Sequence, residues 1–234
     1  MQQEPDRALS IWQAQARVLS LRFTAEDLAR LDHRHLVYGL FVTWCVGIGR
    51  YWDHPDPYLV QTLGLGSLLV MTALGLMLYL ILWPLRPAHW SLVHLYTFLS
   101  LTALPAILYA VPVERFLTLE AARDANLAFL GAVAVWRVAL LCRYLMQHAR
   151  LSGGVLLAAL LLPLALVVVV LTILNLEKAV FDVMAGLQEE RGTANDRAYE
   201  FLTILSMFCF VVSPVLLLAY GFAVWSRWRG ENSI

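Results

Sequence analysis

Charge is the first thing this sequence is short of. Only 15% of its 234 residues are charged, against about 25% in an ordinary soluble domain. The charges present cancel to a formal net charge of zero, which removes the electrostatic case for nucleic acid as a partner. Cysteine is scarce as well. Cys45, Cys142 and Cys209 stand far apart inside apolar runs. They have neither a zinc nor a redox spacing and read as small hydrophobes. The first 35 residues show no basic start followed by a short apolar core, so no cleavable signal peptide is read there. The sequence also lacks internal repeats, low-complexity tracts, a phosphate-binding glycine loop and an HExxH pair. No serine–histidine set has a defined spacing. No cofactor is expected.

What the chain does have is apolar length. Hydrophobic residues make up 60% of it, and the mean hydropathy is +0.68. Six apolar runs stand out, at 36–52, 58–83, 90–113, 126–146, 153–174 and 201–225. Roughly 20 apolar residues are needed to cross about 30 Å of hydrocarbon as a helix. Five runs reach that length; the first is short, ended early by Arg50. Tyr51, Trp52, Tyr58 and Phe116 mark one set of ends. Tyr38, Trp83, Trp90, Tyr144, Trp225 and Trp228 mark the other, as an aromatic belt would. These runs predict an all-α, polytopic transmembrane helix bundle of six spans occupying 36–226.

Residues 1–35 are expected to form an amphipathic helical segment, interfacial or cytoplasmic. Leu9, Trp12, Ala16, Leu19 and Phe23 recur at helical spacing on one face. Thr24 and Asp27 read as a helix start, with that second helix running into Asp32–His35. Segment 175–200 carries an apolar stripe (Leu176, Val180, Val183, Met184, Leu187) and predicts an outer amphipathic helix, interfacial or dipping back. Residues 227–234 form a tail. Ten basic residues fall on the side holding both termini and six on the other, so the positive-inside rule places both termini in the cytoplasm of an inner-membrane protein. This layout is similar to that of small exporter permeases that pair with an ATPase. No motif residue carries the likeness, so it assigns no functional position.

The polar residues inside the runs are the candidate site. Arg137 stands in the fourth run with no carboxylate in any run at its depth, and an arginine at the centre of a span costs about 2.5–3.5 kcal/mol. Pro105 frees the carbonyl of Leu101 in the third run. Counted at 1.5 Å per residue, Arg137 and Leu101 lie about 13 and 16 Å from the inner ends of their helices. Arg137 is therefore expected in the protein interior, against the bend, donating to the turn at Leu101 and Thr102. Facing a wet cavity instead, it would bind an anionic group. Pro163 and Pro214 also lie centrally, and three bent helices would frame a polar cavity. Small residues at Gly64, Gly66 and Ser67, at Gly131, Ala132 and Ala134, and at Ala158 and Ala159 mark expected helix contacts.

At the rims, Glu114 and Arg115 read as an ion-paired corner, within an acidic outer set that includes Glu120 and Asp124. His33, His35, His89, His94 and His148 gather near the inner face. His94, one turn inside its span, is the best placed of them. Two function classes follow. The first is a non-enzymatic membrane component, a transport-type permease or a subunit of a larger complex. Its partners are the lipid bilayer and either other subunits or a second copy of the chain. The second is a membrane enzyme or redox protein with a metal or haem at the inner-side histidines.

Overall fold

A computed structural model describes residues 9–52, 59–174 and 196–231. Every regular element among them is helical. The chain enters through two short helices, α1 (Ile11–Leu19) and α2 (Ala25–Ala29), and each start is capped by a side chain. Ser10 Oγ accepts the Gln13 N–H, while Thr24 and Asp27 exchange bonds in a reciprocal cap. Asp32 does not end the second helix, as the sequence suggested. It opens α3 (His33–Gly49), accepting the Arg34 and His35 N–H groups. Early capping by an aspartate outweighs continuation of the short helix, because it satisfies two orphan donors at once.

The apolar runs become long helices. After α4 (Leu59–Thr62) come α5 (Leu65–Leu82), α6 (Leu92–Leu101), α7 (Leu119–Gln147), α8 (Gly153–Ile173) and α9 (Asp196–Glu231). Four stretches are long and apolar enough to cross a membrane: Leu65–Leu85, Asp124–Gln147, Gly153–Ile173 and Thr203–Arg229. A fifth arises if α6 and the 3-10 segment Leu104–Ala110, bent by 42°, act as one. The 17 residues of α3 rise only about 26 Å at 1.5 Å each, short of a full crossing. Residues 175–195 lie outside the described set. Residues from Asp196 onward continue straight into the last helix, so 196–200 belong to α9 and not to a separate outer segment.

Helices α3, α5 and α6 pack on one another, and α8 pairs most extensively with α9. Helix α5 also touches α8, while α7 leans on α8 and on Leu104–Ala110. Glycines set the closest approach. A Cβ at Gly47 would lie 2.6 Å from the Gly64 carbonyl oxygen, one at Gly39 would collide with Ser100, and one at Gly75 with the Tyr96 ring. Gly39, Thr43 and Gly47 repeat every four residues and form one small-residue stripe along α3. The expected contacts at Gly66 and Gly131 are not found among the described residues, where nothing lies within 4 Å of an added Cβ. Ala132 and Ala134 are exposed too. Ala158 and Ala159 are buried on α8, and Gly64 closes the α4–α5 turn with a φ of 66°.

One end of the bundle holds the densest core. Phe23, Leu82, Leu85, Leu95, Leu101, Leu140, Tyr144 and Leu145 are fully buried there in one cluster. The same end gathers segments from the whole chain. Arg143 Nε donates to the Phe23 carbonyl (3.2 Å), and the Ala88 N–H to that of Ala149 (3.2 Å). Arg227 and Trp228 donate to the carbonyls of Leu85 and Pro84. Residues near both chain termini therefore share an end. The face of α1 that turns inward is not the one the spacing suggested. Ala14, Gln15 and Val18 are buried, while Trp12 is 74% exposed. Helix α1 is apolar on two sides, and the side with smaller residues fits against α3 and α6.

Candidate functional site at the broken helix

Of the three central prolines, only Pro105 breaks its helix. Pro163 and Pro214 lie inside continuous helices, and the carbonyl freed by Pro214 at Phe210 is met from within the turn by Ser213 Oγ (3.4 Å). Only the third apolar run is interrupted at its proline; the other two stay helical through theirs. At Pro105 the chain leaves α6 at Thr102 and resumes as a 3-10 helix from Leu104 to Ala110. Proline there has no N–H for the Leu101 carbonyl, and the tighter coil that follows bypasses the Thr102 carbonyl.

Both opened carbonyls are met by side chains from distant parts of the chain. Gln15 Nε2 donates to the Leu101 oxygen at 2.8 Å. Arg137 Nε donates to the Thr102 oxygen at 3.3 Å. Arg137, expected at both, meets only the second; the glutamine of α1 takes the first. Gln15 is buried, and its Oε1 has no hydrogen-bond partner among the described residues. Thr102 Oγ1 turns back to the Leu99 carbonyl (2.6 Å). Arg137 is exposed along α7, but its guanidinium reaches the bend, where its described hydrogen bond is part-buried. The helix end at Thr102 is near enough to the surface of α7 for a long side chain to reach it from outside.

Beyond the break, a thin apolar layer of Val46, Ala106 and Val133 joins α3, the 3-10 segment and α7, with Tyr109 packed against it. Arg50, at the end of α3, sets its Cζ 5.1 Å from the centre of the Tyr109 ring. Arg137 is within electrostatic range of the same tyrosine from α7. At the rim, Trp52 Nε1 donates to the Ala110 carbonyl (2.9 Å), and Arg115 Cζ lies 4.9 Å from the Trp52 ring. Arg115 therefore stacks on an aromatic ring. The side chains of Glu114 and Glu120 lie outside the described residues, as do 53–58 with their acids. Asp124 is exposed.

His94 belongs to a separate cluster at the core end. Its ring centre lies 5.5 Å from that of His148, which in turn stacks on Tyr144 at 5.1 Å. His148 Nε2 donates to the His89 carbonyl (2.9 Å), so that nitrogen carries the proton. The His94 Nδ1 and the Tyr144 hydroxyl are buried without a hydrogen-bond partner among the described residues. Among the described residues, no three His, Cys, Asp or Glu side chains are grouped to hold a metal ion. His35 is spent on structure: its Nε2 donates to the Leu9 carbonyl (3.1 Å), which leaves Nδ1 to accept the Asp32 N–H.

Comparison with family models finds no match, and neither a curated protein nor a solved structure matches the chain. The site thus rests on its own geometry. The sequence pairs Arg137 with Pro105 and Thr102, and the structure brings those three together. It does not point to Gln15, Arg50 or Tyr109. The first is a polar residue on a buried helix face, and the other two sit at helix ends where aromatic and basic residues are commonplace.

The histidine cluster sets a pH dependence. Burial, followed by the neighbouring His94, pushes the His148 imidazole down to about 4, against the opposing bond to the His89 carbonyl. Between the ordinary value of 6.5 and about 4, the unfolded chain takes up a proton that the folded chain refuses. Stability from this group is therefore complete above pH 6.5 and lost as pH falls towards 4. A melting series across that range should decline in the parent protein. It should be flatter in His148→Gln, whose amide can still donate to the His89 carbonyl. An unchanged slope in that variant would remove His148 as the cause.

Proposed function

We propose that this chain is the membrane-embedded component of a transport-type permease or of a larger membrane complex. The reading has six spans and both termini on the cytoplasmic side of an inner membrane. The observation that supports it is the break at Pro105. Backbone opened within a span is tolerated where protein or a polar cavity covers it, and interrupted helices at mid-membrane are a recurrent feature of transporters. Here the opened carbonyls are held by Gln15 from the N-terminal segment and by Arg137 from α7. A break held by two separate elements is a place where movement of either one changes the geometry of the third span.

The shared end of α1, α2 and the last turn of α9 suits an even number of crossings, with α3 as the short first span and α6 plus Leu104–Ala110 as the third. Ten basic residues on that side against six on the other support its cytoplasmic placement.

Reporter fusions placed after Arg86 and after Arg191 should report opposite sides of the membrane. The same side for both would sink the six-span arrangement. Purification in mild detergent should then recover either a defined partner subunit or a stoichiometric second copy. Stoichiometric haem or metal in the purified protein, by absorption and elemental analysis, would favour the redox class instead.

A further inference from the structure

We propose that residues 9–31 form a re-entrant hairpin. Helix α1 climbs into the bundle from the end that holds the densest core, turns against α7 and returns through Phe23. Its outer side then meets lipid acyl chains, not headgroups or water. The inference rests on the membrane reading of the helices and does not require transport.

Levels along the neighbouring helices carry it. The starts of α3 and α6 and the end of α7 lie together at that end of the bundle, and they give a common scale to within about 5 Å, since Gly39 of α3 meets Ser100 of α6 and Phe98 stacks on Tyr144 of α7. The Leu9 carbonyl accepts from His35 Nε2, about 3 Å in from the start of α3. Trp12 packs edge-on against Tyr38, about 8 Å in. Gln15 reaches the Leu101 carbonyl about 14 Å in, and the Leu19 carbonyl meets Trp136 about 16 Å in. The chain then falls back, with Phe23 against Phe98 and Arg143 at about 6–9 Å. The nine residues of α1 are about 13 Å long, which matches the climb. A helix lying flat on the surface would meet its neighbours at one level.

The turn points the same way. Backbone between α1 and α2 is irregular, and lipid offers no donor to an open carbonyl. The Leu19 carbonyl accepts from Trp136 Nε1 (3.1 Å) and the Phe23 carbonyl from Arg143 Nε (3.2 Å). Both donors stand on α7, a helix long and apolar enough to cross the membrane. Within the turn, the Leu21 and Arg22 N–H groups donate to the carbonyls of Val18 and Arg17. Arg17 pairs with the buried Asp27 of α2, so one charge of each limb is cancelled at depth. Trp12 and Ala16 are exposed on the outer side, level with the exposed Val37 and Phe41 of α3. Together they extend one apolar surface towards lipid.

The test places one nitroxide at a time on the full chain, with its three cysteines changed to alanine, in vesicles of phosphatidylcholine and phosphatidylglycerol. It reads collisions with oxygen, which enters lipid, and with a nickel chelate, which does not. Ser10→Cys, Ala16→Cys and Ala29→Cys carry the label at exposed positions, so the packing is left intact. The label at Ala16 should lie deeper than that at Ser10 by about 9 Å, and the label at Ala29 should be back in water. Equal depths at Ser10 and Ala16, or water at both, overturns the proposal. Val135→Cys and Val215→Cys, exposed on α7 and α9, are references that should lie among acyl chains. Water at both references defeats the membrane reading and the hairpin with it. Lipid at the references with water at Ala16 defeats the hairpin alone. Trp136→Phe keeps a ring and loses the donor, and should raise the nickel collision rate at Ala16. A label unmoved by that change overturns the capped turn on which the hairpin depends.

Discussion

Replacing Phe23 by alanine is expected to lower stability by about 3–5 kcal/mol, the usual range for removing a fully packed aromatic. Phe23 is 0% exposed. Its ring centre lies 5.8 Å from that of Phe98, Arg143 Cζ lies 5.5 Å from the ring, and its carbonyl accepts from Arg143 Nε. One residue thus joins the N-terminal segment to both α6 and α7. The neighbouring anchor is smaller. Gln15→Leu should cost roughly 1–3 kcal/mol, because the Leu101 carbonyl loses its donor inside the bundle. Denaturant titration in detergent, followed by tryptophan fluorescence, reads both. Phe116→Ala is the control, since Phe116 is 78% exposed. Equal effects at Phe23 and Phe116 would show that the N-terminal segment does not dock on the bundle.

The second large effect is at Gly39. A side chain there meets Ser100, whose own hydroxyl is committed to the Thr97 carbonyl (2.9 Å). Valine should force α3 and α6 apart and cost about 1–3 kcal/mol or more, as overpacking does. Alanine should cost less, and Ser100→Gly should restore part of the loss. Gly131→Ala provides the opposite sign. Nothing lies within 4 Å of its added Cβ, so helix propensity alone should stabilise by up to about 1 kcal/mol. Thermal melts of the four proteins in one detergent check the pattern. Similar losses at Gly39→Ala and Gly131→Ala would remove the close α3–α6 contact from the account.

The apolar runs and the break at Pro105 are legible in the sequence because each follows from a single local rule. Length sets the helices, and a missing N–H sets the break. Pro163 and Pro214 obey the same rule, yet their helices continue through them. The sequence does not show which prolines will do so. The glycines divide likewise. Gly39, Thr43 and Gly47 carry a spacing that a search for small residues every fourth position would have found. Gly131 sits among small residues and faces nothing. For α1 the difficulty is that two of its faces are apolar. Periodicity favours the side with Trp12, and packing chooses the side with Ala14, Gln15 and Val18. At the site, Arg137 was visible as an isolated charge in an apolar run. Arg50 and Tyr109 were not, because position rather than type makes them relevant.

The anchoring of the N-terminal segment has a consequence for how the protein is made. Three of the bonds that hold it are to Leu101, Trp136 and Arg143, separated from their partners by 86, 117 and 120 residues. At synthesis rates of about 5–20 residues per second, the last of these partners emerges roughly 6–24 s after Phe23. For that interval, Phe23, Val18 and Leu28 have no finished surface to cover them. This segment is therefore translated well before the surface on which it docks, and until α7 is made it stays an uncovered apolar stretch on the ribosome-bound chain.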